Sequence, residues 1–364
     1  MEFLEDCWYA AAFTSEVTRT PMVRVLLGEP VVLYRKESGE PVALGDRCPH
    51  RFAPLHQGKL FGDAIRCPYH GLQFDADGKC VHNPAGKGVV PQAAKTPSFP
   101  LREVDGVIWL WHGAEEPDEG KIVRFPEFNQ LDRWAPVEFM LRIEANHMLV
   151  SDNLLDLSHA EFLHPDLARE GFAKRAQLSV SQEGDMIVAS NWRPGELISN
   201  MSRLSMGGDK APEMIDRSTI VKWHAPANLR FDMSDMPVGK FQPADMPVGK
   251  AEGAAGTVQA HLITPETENT SLYFVKVVRD WLIDDEAITS TLRAKTHNAF
   301  NSEDRPMIES QQRYMGGQGF EALNPVLLPN DAAAARTRQV LRGKLEAQAA
   351  KRSASDRFRR AAVS

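Results

Sequence analysis

Four residues in the first quarter of the chain have the types and spacing of metal ligands. Cys48-Pro49-His50 is followed, sixteen residues later, by Cys67-Pro68-Tyr69-His70, giving C-x-H-x16-C-x2-H. Thiolate together with imidazole narrows the choice to zinc, copper or an iron–sulfur centre. A structural zinc site commonly pairs Cys with Cys and His with His through short loops. Here each loop supplies one Cys and one His. That suits a Rieske [2Fe–2S] centre, where two His replace two Cys on one iron. Cys48 and Cys67 then hold one iron, and His50 and His70 the other. Neutral imidazole brings less negative charge than thiolate, so the potential rises toward roughly −150 to +300 mV. The chemistry of such a site is one-electron relay. A proline after each cysteine and Gly71 after His70 fit tight loops. Cys7 and Cys80 lie outside the pattern and read as plain thiols, and His56 and His82 as loop residues.

A second constellation lies in Ser151-Asp-Asn-Leu-Leu-Asp-Leu-Ser-His159-Ala-Glu-Phe-Leu-His164-Pro165. Asp156 and His159 are three apart, which places them on one face of a helix. His164 precedes Pro165, where a helix ends, so its ring can swing toward the same metal. Two imidazoles and one carboxylate make the facial triad of non-haem Fe(II) oxygenases, with positions left open. The third ligand must come from elsewhere. Asp304 in Asn301-Ser-Glu-Asp304-Arg-Pro is the best candidate, with Glu303 its neighbour and alternative. Alone, H-x4-H is weak; the upstream Cys/His spacing makes it strong.

These residues need rigid elements behind them. The first 115 residues read as β-rich: Val31–Tyr34, Pro41–Leu44 and Val107–Trp111 are apolar runs separated by Gly, Pro and Asp. A polar connector follows at 113–129. A helix is expected near 146–164, strands at Met186–Trp192, Ser218–Trp223, Thr257–Ile263 and Ser271–Val278, and helix again from Asp284 to Tyr314. This is an α+β pattern with flanking helices. The expected organisation is an all-β metal-cluster domain over 1–115, an α+β domain with an antiparallel sheet over 116–330, and a helix and tail over 331–364. Within the last part, 332–351 read as a surface helix and the chain after Ser353 as frayed. Residues 235–240 (Asp-Met-Pro-Val-Gly-Lys) recur unchanged at 245–250. One tandem copy is too short for a solenoid, and its Pro and Gly suggest a loop.

Composition excludes several classes. The 364 residues carry 42 basic and 49 acidic side chains, a formal charge of −7, so no basic face offers itself to nucleic acid. No apolar run approaches a membrane span. The opening Met1-Glu-Phe-Leu-Glu-Asp6 lacks the regions of a signal peptide. Four cysteines are too few for a disulfide scaffold. The expected location is the reducing cytoplasm.

With both constellations in place, the chain resembles the Rieske non-haem iron oxygenases, in particular their vanillate O-demethylase-like branch. The likeness runs through Trp8-Tyr9-Ala10, Cys48–Leu55, Cys67–Phe74, Asp152–His164 and His261–Glu268, and ends near Gln312. It implies that Cys48, His50, Cys67 and His70 hold the cluster and that His159, His164 and Asp304 hold mononuclear Fe(II). The E-D-x-x-x-x-E context favours Asp304 over Glu303. Asp156 matches the family's bridging aspartate, accepting from His159 and from a neighbouring chain's His70 in a head-to-tail homotrimer. Asn153 matches an asparagine near the iron. His261 matches a substrate-contacting position, or else is a satisfied core histidine. Arg230 could pair with a substrate carboxylate, and Asn228 is a further substrate candidate.

The implied activity is that of a terminal oxygenase component using O2. Electrons come from NADH through a flavin- and ferredoxin-type reductase, because no G-x-G-x-x-G motif occurs here. The expected reaction is O-demethylation of a methoxylated aromatic acid: hydroxylating the methyl gives a hemiacetal that collapses to a phenol and formaldehyde. Rivals are ring hydroxylation, dihydroxylation or sulfoxidation, an electron-transfer protein without catalysis, and a zinc protein.

Overall fold

The computed structural model describes residues 3–240, 251 and 253–361, with side chains as far as Ala354. It divides into two compact units. One is Glu5–Arg124 with Thr264–Thr267; the other is Met1–Leu4, Phe125–Ile263 and Glu268–Ser364.

The first unit is all-β. Cys7–Phe13, Val107–His112 and Leu101–Val104 form one sheet, and Met22–Leu26, Glu29–Arg35 and Pro41–Gly45 a second. A third, of four short strands, joins Lys59–Phe61, Ala64–Arg66, Gln73–Phe74 and Cys80–His82. The apolar runs seen in the sequence all lie in strands. Val32, Tyr34, Val42 and Leu44 pack with Leu55, Ile65 and Phe74, and the Cys48 and Cys67 thiols are buried in that same core. The two cysteine loops are thus fixed by packing at their roots.

The second unit is built on a seven-stranded antiparallel sheet. Its spatial order is Ala135–Ile143, Ser271–Arg279, Ala255–Pro265, Asn228–Pro237, Met214–His224, Met186–Leu197 and Gln177–Glu183. Three of these were not anticipated. Gln177–Glu183 is an almost wholly exposed edge strand. Asn228–Pro237 carries Arg230, Asp232 and Asp235, whose charges break up the apolar pattern but are paired: Asp235 with Arg217 and Asp232 with Arg230. Ala135–Ile143 carries an apolar residue at every second position and buries Ala135, Val137, Leu141 and Ile143. The first copy of the repeat is also partly strand, not loop: Asp235–Pro237 pair with Arg217–Ile215. The second copy, 245–250, lies outside the described residues.

The helix expected over 146–164 is broken. Helix His147–Leu155 is capped by Asn146 and stops at Asp156, whose backbone is extended. The Asp156 carboxylate then caps the next turn, Leu157–His159, accepting from the Ser158 amide at 2.9 Å. Aspartate competes with a helix by this kind of local bond. Asp156 and His159 therefore do not share a helical face.

The second helical stretch runs Glu286–Asn298, then one wider π turn over Ala299–Asp304, then Arg305–Tyr314. Pro306 has no N–H to give to the turn before it, which favours the wider turn. The last helix, Ala332–Ala361, continues past Ser353, where fraying was expected. It is more than a surface helix, since Ala333, Thr337 and Leu341 are buried and Arg338 pairs with Asp152 at 2.5 Å. No described helix is long and apolar enough to cross a membrane.

Gly256 shows how tightly the sheet is drawn. Its φ is +147°, and a Cβ there would lie 2.1 Å from the Met233 carbonyl oxygen on the paired strand. Gly256→Ala is expected to cost about 2 kcal/mol or more. Thermal unfolding checks this, and a midpoint equal to the wild type would contradict it.

Candidate active site

The two cysteine loops of the first unit are built alike. Each cysteine amide donates to the carbonyl five residues on: Cys48 to Ala53 at 2.9 Å and Cys67 to Leu72 at 2.8 Å. Each cysteine carbonyl accepts from the amide four residues on, Phe52 at 2.8 Å and Gly71 at 3.1 Å. Those two residues, Phe52 (φ 59°) and Gly71 (φ 75°), reverse the chain in the left-handed region. The first loop is further tied by Asp46, which accepts from the His56 amide at 2.7 Å and faces its Nδ1 at 2.5 Å.

The loops bring Cys48 and Cys67 together inside and His50 and His70 together outside. Both sulfurs are buried at 2 % exposure, while both imidazoles are exposed with ring centroids 4.5 Å apart. Burial, with the Cys67 thiol alongside, pushes the Cys48 thiol up to about 11. The buried Cys48 thiol, disfavoured as a thiolate, is the kind of group that a bound cation ionises. The donors fit a cluster whose sulfur-ligated iron is inside and whose imidazole edge meets solvent.

In the second unit the donor atoms of His159, His164 and Asp304 all lie within 4.8 Å of one another. Asp304 Oδ1 is 3.4 Å from His159 Nε2 and 3.1 Å from His164 Nε2. The outer nitrogens are anchored. His159 Nδ1 lies 2.7 Å from the Asp156 carbonyl oxygen, and His164 Nδ1 lies 2.7 Å from Glu303 Oε2. A carbonyl oxygen only accepts, so His159 Nδ1 carries a proton, and this bond turns Nε2 toward the centre. Asn153 Nδ2 donates to Asp304 Oδ1 at 3.1 Å. Burial pushes the Asp304 carboxyl up, but the bonds from His159 and His164 outweigh it and hold it at about 2. Burial likewise opposes charge on His164, yet Asp304 and Glu303 raise its pKa overall. Two imidazole nitrogens and one carboxylate oxygen suit Fe(II) with coordination positions to spare.

These groups border a cavity of about 170 Å³, more than ten times the space one water needs. Its wall is largely apolar, with Phe172, Phe231, Trp281 and Phe300 among the lining residues.

Comparison with known proteins agrees with both sites. Residues 7–100 match the model of the Rieske [2Fe-2S] domain, and residues 143–347 match that of the vanillate O-demethylase oxygenase C-terminal domain. The chain is 38% identical over 352 residues to the oxygenase component of chloroacetanilide N-alkylformylase from Rhizorhabdus wittichii, covering 95% of this chain and 97% of that one. It is 33% identical to the dicamba O-demethylase oxygenase component of Stenotrophomonas maltophilia, covering 92% and 96%. The chain belongs to the Rieske non-haem iron oxygenases. Its fold matches a crystal structure of dicamba monooxygenase bound to 3,6 dichlorosalicylic acid, with a TM-score of 0.88 and 32% identity over 96% of this chain and all (100%) of the other.

Some residues of this oxygenase differ from the roles expected of them. Asp156 reaches His159 through its backbone carbonyl, while its carboxylate bonds the Ser158 amide and the Asn330 amide, the latter at 2.7 Å. Arg230 does not line the cavity. Its guanidinium is taken by Glu127, at 2.7 and 2.9 Å, and by Asp232 at 2.8 Å. Asn228 is buried where its strand begins, also away from the cavity wall. His261 is wholly buried behind the wall, between Tyr273 Oη at 2.6 Å and Gln259 Oε1 at 3.0 Å. Its ring stands 4.5 Å from Phe231 and 5.3 Å from Phe300, both of which do line the cavity. Two residues escaped the sequence reading. Glu303 orients His164, and its adjacency to Asp304 was the available signal. Arg193 lines the cavity, and nothing in Asn191-Trp192-Arg193-Pro194 marks it.

Two predictions follow from this geometry. Asp304→Ala is expected to lower iron from about three to about two per chain while the cluster's EPR signal persists. Unchanged iron would remove Asp304 from the site. His261 supplies the second. Burial, with Asp304 opposing it weakly, holds its pKa down at about 3, so protons bind the unfolded chain first. Stability is complete above the ordinary value of about 6.5 and is lost as pH falls below it, by up to about 1.4 kcal/mol per pH unit. His261→Gln is therefore expected to flatten the slope of unfolding free energy between about pH 6.5 and 4.5. An unaltered slope in urea titrations would contradict this.

Proposed function

We propose that this oxygenase demethylates a methoxylated aromatic substrate, releasing formaldehyde. The observation that carries the reading is the group His159, His164 and Asp304 at the wall of a mostly apolar cavity. Cys48, His50, Cys67 and His70 would hold the [2Fe–2S] cluster, and His159, His164 and Asp304 the mononuclear iron. Iron held there supplies O2 reduction: methoxyarene, O2, two electrons and two protons give phenol, formaldehyde and water. The chain's residues do the rest. Phe172, Phe231 and Phe300 exclude bulk water and stack the ring. Asn153 and Glu303 hold the ligands in orientation. Asp304 stays ionised, so it remains a ligand rather than a proton donor.

Electrons arrive from a reductase that oxidises NADH, of the flavin- and ferredoxin-bearing type. The exposed His50 and His70 edge supports delivery to a neighbouring chain, in a head-to-tail homotrimer where Asp156 faces the incoming cluster. No disulfide joins any of the four cysteines, which suits a cytoplasmic setting.

The test is product analysis. Iron-loaded protein, NADH, a flavin/ferredoxin reductase and methoxylated arenes are expected to yield formaldehyde and phenol in equal amounts. A hydroxylated ring with the methoxy group intact would replace demethylation by ring oxidation. Oxygen uptake with no organic product would leave only electron transfer. For the trimer, co-expressed His70→Ala and Asp304→Ala chains are each expected to be inactive alone and active together. No rescue would mean that electrons stay within one chain.

A further inference from the structure

Arg193 is a buried cation with no hydrogen-bond partner among the described residues. It sits on strand Met186–Leu197, just before a bulge between Arg193 and Glu196, and is 1 % exposed. Its guanidinium lies over the Phe172 ring, 3.5 Å from carbon to centroid. None of its three nitrogens has a hydrogen-bond partner. The nearest carboxylate contact is Glu196 Oε2, 3.9 Å from Nε.

The neighbouring Arg217 explains the gap. It takes Glu196 Oε1 at 2.9 Å and Asp235 Oδ1 at 2.7 Å, and it also donates to Ser202 Oγ. Both carboxylates are thus turned toward one of two arginines. Formal charge balances, but hydrogen bonds do not. A buried guanidinium with its N–H groups unmet is among the costliest arrangements a fold can hold. Both Arg193 and Phe172 line the same cavity as His159, His164 and Asp304.

We infer that Arg193 anchors the oxyanion of the aromatic substrate, a carboxylate or sulfonate, by a bidentate pair. This rests on the proposed function and adds the substrate's charge to it. The planar fork matches a carboxylate, and Phe172 fixes the plane of the fork through its ring face. Burial holds Arg193 down at about 9; Glu196 and Asp235 offset this in part and Arg217 adds to it. The group is still charged at neutral pH. Glu196 Oε2 likewise has no hydrogen-bond partner among the described residues, so the guanidinium N–H groups are not engaged by it.

The test is binding, measured by calorimetry on the iron-loaded full chain without reductase. The probes are the isomeric methoxybenzoates, their methyl esters and toluene-4-sulfonate. At least one methoxybenzoate or the sulfonate is expected to bind at least about tenfold more tightly than the uncharged esters. Arg193→Met is expected to abolish that difference while ester binding changes less than about twofold, and Arg193→Lys to keep part of it. Circular dichroism and the cluster's EPR signal establish that each variant is folded. If Arg193→Met does not fold, the acid–ester difference in the wild type and its reduction in Arg193→Lys decide. Acids that bind no better than esters, or a loss shared equally by both, would overturn the inference. Formaldehyde from neutral methoxyarenes alone would sink the Arg193 anchor and leave demethylation standing. Arg193-dependent acid binding without formaldehyde from any methoxyarene would do the reverse.

Discussion

One buried carboxylate sets the terms for the second unit. Asp304 is 2 % exposed, and a lone ionised carboxylate there would be too costly to keep. It stays charged because two imidazole nitrogens and the Asn153 amide face its Oδ1. That convergence imposes requirements on distant segments. The helix at His147–Leu155 must stop so that His159 can turn inward, and the Asp156 cap stops it. The helix after Asn298 must widen, and the π turn at Ala299–Asp304 does so. Glu303 and the Asp156 carbonyl then hold the outer imidazole nitrogens, leaving the inner ones to a metal.

The cluster loops obey a more local rule, which is why they were so legible. Two short turns with the same hydrogen bonds at the same offsets present one Cys and one His each. Ligand spacing within a turn is set by the turn itself, so it survives in the sequence as a pattern. His159 and His164 were legible for the same reason, being only five residues apart. Asp304 was singled out through its context, while Glu303 beside it was named only as an alternative ligand. Glu303 as the orienting partner of His164 depends on the π turn, and no residue type announces such a turn.

Arginine placement marks where reading by residue type ends. Arg230 and Arg193 both sit on strands of one sheet, and either could have met a substrate. Arg230 is spent on Glu127 and Asp232. Arg193 is left open because Arg217 takes both nearby carboxylates. Which arginine is satisfied depends on register across three strands and on a bulge, quantities set by the whole sheet. The same applies to His261: its strand lines the cavity through Thr257 and Gln259, but its own ring lies behind, where Tyr273 and Gln259 satisfy it.

The two kinds of element therefore divide the work. His159, His164 and Asp304 come from helix ends and a π turn, where backbone geometry can be bent to bring side chains together. The cavity's charged wall comes from strands, where Arg193, Arg217 and Asp235 are held by a rigid ladder. Changing a strand residue alters what the cavity accepts without moving a metal donor, because no hydrogen bond of Arg193 reaches the triad. Changing Asp156, Glu303 or Asn153 does the opposite, disturbing ligand orientation while leaving the charged wall intact. The triad and the strand-borne residues of the cavity thus rest on interactions that can vary independently.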